Sequence, residues 1–199
     1  MLKLTRCDTI VFAGVSPFCY FYNIVFSLFV VYNIRIMNYE VCAMRRKDRE
    51  VTDFSKMTQI LKDCDCCRLG LVDNGEAYIV PMSFGYDFTG ETVNLFFHCA
   101  DEGRKIDLLS KQTSVAFEMD TKHQLIGGKN GCDFSYKYQS IMGTGVIETL
   151  TDINDKIYSL QRIMEHYTGE SNWEFDENVL NITKVLKLSV EKWSCKELG

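Results

Sequence analysis

The chain has 199 residues, of which 46% are hydrophobic and 25% charged, with a net charge of -5 and only two prolines. That is enough for one globular domain plus an extension, and it leaves no Pro-rich linker. No basic face dominates, which excludes nucleic acid as the main partner.

Residues 1–43 form an apolar extension. No charge occurs between Asp8 and Arg35, and the run from Thr9 to Ile34 is long enough to span a bilayer. Lys3 and Arg6 precede it, but Arg35, Arg45, Arg46, Lys47 and Arg49 follow, so a membrane anchor would keep the main domain in the cytoplasm. The competing reading takes Met44 as the start of the protein and residues 1–43 as upstream translation. A buried structural segment is the third. Residues 44–199 form the main domain under each reading.

Nine cysteines, an odd count, do not suit a secreted disulfide framework. Thiols serving as small core residues in a reducing, cytoplasmic compartment suit them better. Cys64, Cys66 and Cys67 crowd together, but zinc needs a second ligand pair at matching spacing. None is visible, so no metal is expected.

In chain order, Asp53 to Lys62 carries Phe54, Met57, Ile60 and Leu61 at helical spacing, with Asp53 as its cap. Cys67 to Val72 reads as a strand, and Asp73-Asn74-Gly75 as a hairpin turn. Ala77 to Tyr86 is the predicted returning strand, with Pro81 marking an edge or a bulge. A turn at Phe88 to Glu91 leads into the strand Thr92 to His98 and then a helix from Glu102 to Ser110. Strands at Ser114 to Met119 and Tyr138 to Thr149 follow. Between them Gly127 to Gly131 is a flexible loop. It is no phosphate loop, since no strand runs into it and no Lys-Ser/Thr ends it. A helix from Asn154 to Tyr167 and a strand from Val185 to Trp193 complete the chain. Strands do not alternate with helices, so the fold is mainly β (α+β). It is a small six-stranded antiparallel barrel with helices at its edges.

The most informative stretch is Leu95 to Leu109. An apolar strand ends on His98, and the next helix opens with Arg104 and Lys105. A helix start carries unpaired N–H groups, and two cations there suit a phosphate. A solvated helix start beside a half-buried histidine is the plainer alternative. His123 falls in a polar loop after Asp120, and His166 near a helix end. Cys99 and His98 point to opposite faces of a strand and so form no nucleophile–base pair. Glu118 and Asp120 read as a solvated acidic face rather than a catalytic pair.

From Met44 to about Trp193 the chain resembles the pyridoxamine 5′-phosphate oxidase-like split-barrel flavoproteins, and is most similar to their Nim-type nitroimidazole-resistance branch. The matching pieces are Met44-Arg-Arg-Lys-Asp-Arg-Glu, Cys67-Arg-Leu-Gly-Leu, Tyr78-Ile-Val-Pro-Met-Ser-Phe-Gly-Tyr86 and Phe96-Phe-His-Cys-Ala-Asp-Glu-Gly-Arg-Lys-Ile-Asp107. Phe117-Glu-Met-Asp120, Tyr138-Gln-Ser-Ile-Met-Gly-Thr-Gly145 and His166-Tyr-Thr-Gly169 extend the series in order.

The resemblance implies an FMN-binding homodimer with the flavin at the subunit interface. Val80, Pro81, Met82 and Ser83 would line the isoalloxazine through backbone groups. Phe97, His98, Cys99 and Ala100 would flank the flavin and ribityl chain. Gly103, Arg104 and Lys105 fall on the phosphate turn, and Gln139 and Ser140 on the segment that completes the site from the other subunit. His98 matches the active-site histidine of the Nim-type branch. The last strand offers Lys192, Trp193 and Lys196 without the family's basic residues for a substrate phosphate, so pyridoxamine phosphate oxidation is not expected. The expected activity is FMN-dependent reduction of small nitroaromatics such as 5-nitroimidazoles. The alternatives are a non-catalytic flavin-binding or flavin-sensing protein, or a barrel for another phosphorylated or tetrapyrrole ligand. No dinucleotide fingerprint follows a strand, so a nicotinamide donor would bind only transiently.

Overall fold

Alternating apolar residues and tight turns build one antiparallel sheet in the computed structural model, which describes residues 45–199. The apolar run and the start at Met44 lie outside the described residues. Eight strands are described: β1 (Glu50–Val51), β2 (Cys67–Asp73), β3 (Glu76–Met82), β4 (Gly85–Thr89), β5 (Thr92–Ala100), β6 (Ser114–Ile126), β7 (Ser135–Leu150) and β8 (Thr183–Leu198). Four α-helices accompany them: α1 (Phe54–Asp63), α2 (Arg104–Leu109), α3 (Ile153–Thr168) and α4 (Glu177–Ile182). The strand order is β3-β2-β6-β7-β8-β5-β4, with β1 paired to β8. The sheet is not closed: its two ends, β3 and β4, are consecutive in sequence but not paired. This is the split barrel with flanking helices, built on eight strands rather than six.

Local chemistry accounts for the predicted elements. Asp53 accepts the Lys56 N–H to cap α1, and Asp152 caps α3 through the N–H groups of Asn154 and Asp155. Asn74 and Gly75 take φ values of 51° and 87°, which joins β2 to β3 by a tight turn. Pro81 lies on β3, an edge strand, where its missing N–H costs no ladder bond.

The predicted strand Ala77 to Tyr86 is in fact two strands. Phe84 is fully buried, and its N–H donates to the Tyr167 hydroxyl at 3.1 Å instead of to a ladder partner. Gly85 then runs against the backbone of Arg162 and Ile163 in α3, leaving no room for a side chain. The chain thus leaves β2 after Met82 and joins β5 from Gly85.

Strand β6 also exceeds its prediction. It continues through a register irregularity between Thr121 and Gln124 as far as Ile126, which puts His123 on a strand and not in a loop. A strand therefore does run into the glycine-rich segment. That segment holds a short 3-10 turn, Gly131–Asp133, closed by Asn130 and Asp133. Helix α4 and strand β1 had no signal in the sequence pattern.

Two apolar clusters result. Leu69, Phe117, Met119, Ile141 and Leu188 fill the barrel, and Phe96, Leu160, Ile163, Leu180 and Val185 pack beneath α3 and α4. Strand β5 is buried on both faces, with Leu95 and Phe97 inward and Phe96 outward. Cys64, Cys67 and Cys195 are small core residues, and burial pushes the Cys64 and Cys195 thiols up to about 12. Among the described residues no helix is long and apolar enough to cross a membrane.

Candidate functional site

Strand β5 ends at Ala100, and α2 begins at Arg104 after the turn at Gly103, whose helix start has no side-chain cap. This geometry carries Lys105 to the edge of the barrel mouth. Its ammonium donates to the Met82 sulfur at 3.1 Å, and its charge acts on the Cys99 thiol. Thioether and thiol sulfurs are weak acceptors. Among the described residues Lys105 has no carboxylate partner. A half-buried cation held only by sulfur fits an incoming anion.

Arg104 is placed differently. Its guanidinium meets Asp73 Oδ2 at 2.8 Å from Nε and lies 4.4 Å above the Tyr78 ring. It therefore ties α2 to the β2–β3 hairpin. The pair is exposed, so it contributes at most about 1 kcal/mol.

His98 stands at the surface end of β5, on the opposite face from Cys99. Burial, and then the nearby Lys105 ammonium, hold its imidazole below the usual pKa, so it is neutral at pH 7. Cys99 is half-buried; burial raises its pKa, against the pull of Lys105 and Lys184.

The structure brings Val80 and Met82, which face the core, together with Cys99 and Lys105. Pro81, Ser83 and Ala100 are exposed. Phe97 is sealed in the core at 0% exposure, so only its backbone can meet a ligand. Gln139 and Ser140 do not join this group within one chain. They lie on β7, three strands from β3, about 14 Å away at the usual spacing. They also point to opposite faces. Gln139 donates to Glu197, itself paired with Lys56 of α1, whereas Ser140 lies opposite Asp120.

The acidic pair on β6 is not a free solvated face. Arg68 of β2 donates from one nitrogen to Glu118 at 2.9 Å and to Asp120 at 2.6 Å, and His123 lies 3.1 Å from Asp120. The two carboxylates hold the guanidinium firmly charged. Around this clamp the outer sheet face exposes Val72, Ile79, Met142 and Val146 beside the small residues Gly70 and Ala116. Sequence reasoning missed Arg68, Tyr78 and Asp73 as partners. Only the strand register aligns Arg68 with Glu118, so no short motif could have shown it.

The likeness to known proteins follows the same elements. A Bacteroides thetaiotaomicron structure provisionally assigned to 5-nitroimidazole antibiotic resistance is 29% identical, with a TM-score of 0.65, covering 74% of this chain and 86% of that chain. The flavocytochrome Anf3 of Azotobacter vinelandii is 19% identical with a TM-score of 0.65, covering 79% of this chain and 72% of its own. An FAD and heme binding protein of Mycobacterium smegmatis is 18% identical with a TM-score of 0.61, covering 75% and 73%. At these lower identities the last two likenesses concern the fold. No curated protein matches the chain. The family model described as pyridoxamine 5′-phosphate oxidase matches residues 54–197, from the first residue of α1 nearly to the end of β8. The barrel, the split between β3 and β4 and the basic start of α2 all fall within that match, and the chain belongs to the pyridoxamine 5′-phosphate oxidase family.

Proposed function

We propose that the chain is an FMN-dependent oxidoreductase that reduces a small nitroaromatic, such as a 5-nitroimidazole, as a homodimer. The observation that carries this reading is the Lys105 ammonium, held by the Met82 sulfur at the barrel mouth with no carboxylate partner among the described residues. The 29% identical Bacteroides structure supports the substrate class.

Bound flavin would supply the two-electron chemistry. Lys105 would hold its phosphate, and the backbone from Val80 of β3 to Ser83 just after it would lie along the ring. Reduction of a nitro to a nitroso group takes two electrons and two protons and releases water. A neutral His98 offers an N–H to a nitro oxygen and orients it; in this role it is the catalytic residue. The electrons come from an external donor; a nicotinamide donor would bind only transiently.

We place the second copy on the outer sheet face, where Ile79 and Met142 are 63% and 45% exposed. Ser140 is on that face and would complete the partner's site.

The test is the visible spectrum of the purified full chain, with mass identification of what denaturation releases, followed by turnover of a nitroimidazole. FMN near one per chain with turnover supports the reading. Flavin without turnover of any nitro compound, from any donor, leaves a flavin-binding or flavin-sensing protein. A colourless chain that takes up no added FMN refutes the flavin reading.

A further inference from the structure

Between β4 and the second half of α3 lies a cavity of about 490 Å³, room enough for a small ligand. Arg162, Glu165, His166 and Gly169 stand at helical spacing, so one face of α3 forms a wall. Tyr86 and Phe88, two apart on β4, share the face that forms another. Lys62, exposed at the end of α1, completes the lining. None of these residues belongs to the group around Lys105.

The walls are aromatic, and their hydrogen bonding is incomplete. The Tyr86 ring stands edge-on to Phe88 at 5.6 Å and to His166 at 5.5 Å. Phe88 keeps 36% of its surface exposed. His166 Nε2 donates to the Cys64 carbonyl at 2.8 Å, while its Nδ1 is buried without a partner. Arg162 Nε is also buried without one. Buried polar atoms are nearly always satisfied, so two unpaired nitrogens in one helix wall point to a binding role.

The charged groups of the lining decide what would bind. Asp87 accepts from Asn94 Nδ2 at 2.7 Å and from the Tyr158 hydroxyl at 2.8 Å. Glu165 is paired with Arg162 Nη1 at 2.7 Å. Among the described residues Lys62 makes no ion pair, and the Tyr86 hydroxyl no hydrogen bond. Both carboxylates are thus committed, and the uncommitted groups are mainly donors. An anion meets these donors without displacing an internal pair, whereas an ammonium would have to take Asp87 or Glu165 from its partners. A flat ring suits the aromatic walls, since such rings favour edge-to-face neighbours.

We propose that this cavity binds a small aromatic carboxylate, its ring among Tyr86, Phe88 and His166 and its carboxylate on Lys62. The ligand would join β4 to α3 and α1 beside the close approach at Gly85. The site is independent of the flavin reading.

The experiment uses the full chain and the variants Lys62→Gln, Phe88→Ala and Lys111→Gln, each first checked for a cooperative thermal transition. Lys111 is an exposed lysine outside the cavity and serves as the control. Calorimetric titrations follow with benzoate, cyclohexanecarboxylate and benzylamine, and amide NMR spectra locate the binding. Benzoate should bind at about one per chain, more tightly than cyclohexanecarboxylate, and benzylamine should not bind. Its affinity should fall about fivefold or more in Lys62→Gln, fall also in Phe88→Ala and stay unchanged in Lys111→Gln. The amides that shift should be those of β4 and the second half of α3. Native-like benzoate affinity in Lys62→Gln overturns the proposal, as does preference for benzylamine over benzoate. Shifts confined to Val80–Ser83 and Arg104–Lys105 place the ligand at the barrel mouth and also overturn it. So does a native chain that takes no benzoate, whether or not it binds flavin.

Discussion

Gly85 is where the split of the barrel can be tested by one methyl group. A Cβ at this position would stand 2.5 Å from the carbonyl carbon of Arg162, 2.7 Å from its oxygen and closer still to the Ile163 nitrogen. All three atoms are backbone of α3 and cannot swing aside as a side-chain tip would. Ordinary contact needs about 3.4 Å or more, so Gly85→Ala must separate β4 from α3 by roughly 1 Å. Overpacking of this kind costs about 1–3 kcal/mol, and a clash with helix backbone belongs at the upper end. The separation also loosens Ile163 and Phe96 beneath the helix. For a domain of this size about 3 kcal/mol lowers Tm by roughly 6–12 °C. The assay is urea unfolding followed by circular dichroism, with Gly70→Ala as the control. Gly70 is also a strand glycine, but its added Cβ would meet nothing nearer than 3.7 Å. The control should change stability by less than about 0.5 kcal/mol. If both variants unfold at the same urea concentration, the close approach of β4 and α3 is wrong, and so is its account of the split.

Three further outcomes are expected. His98→Gln should keep flavin bound but lower kcat for nitro reduction by about tenfold or more, and equal turnover in a stopped-flow comparison would remove His98 from the chemistry. Burial holds the His166 imidazole below the ordinary histidine value of 6.5, so the folded state prefers the neutral ring. Its contribution is full above pH 6.5 and falls as the pH drops through that value toward the folded pKa, because the unfolded ring takes its proton first. Urea midpoints at pH 7.5 and 5.5 should therefore differ more in the native chain than in His166→Gln. Finally, Ile79→Glu should place a charge on the outer face and yield monomers by light scattering, and an unchanged mass would move the self-association surface elsewhere.

The parts of the fold legible in the sequence are those set by near neighbours. The Asp53 cap, the Asp73–Gly75 turn and the edge position of Pro81 each depend on a few consecutive residues. The break at Ser83 and Phe84 does not. Its decisive partner is the Tyr167 hydroxyl, 83 positions away, while the local pattern reads as one unbroken apolar run. The extension of β6 past Met119 escaped notice for a related reason. Asp120 to Gln124 are polar, and their strand conformation is maintained by pairing with β7, not by burial. At the candidate site, the basic start of α2 was readable because His98 and Lys105 lie seven positions apart. That Arg104 would be taken by Asp73 and Tyr78, and that Lys184 would stand opposite Cys99, depend on how distant segments align.

The open sheet leaves two strand borders, β3 and β4, where another chain could add itself. Both are poor templates. Pro81 removes a donor from the β3 border, and β4 spans only Gly85–Thr89. Strand-by-strand growth into fibrils is thereby blocked at each end of the barrel, and the protein can carry a sticky outer face without that face seeding aggregation through its borders. A chain in which Pro81 became valine would regain an uninterrupted row of donors along β3, and concentrated samples of it should be the first to form cross-β aggregates.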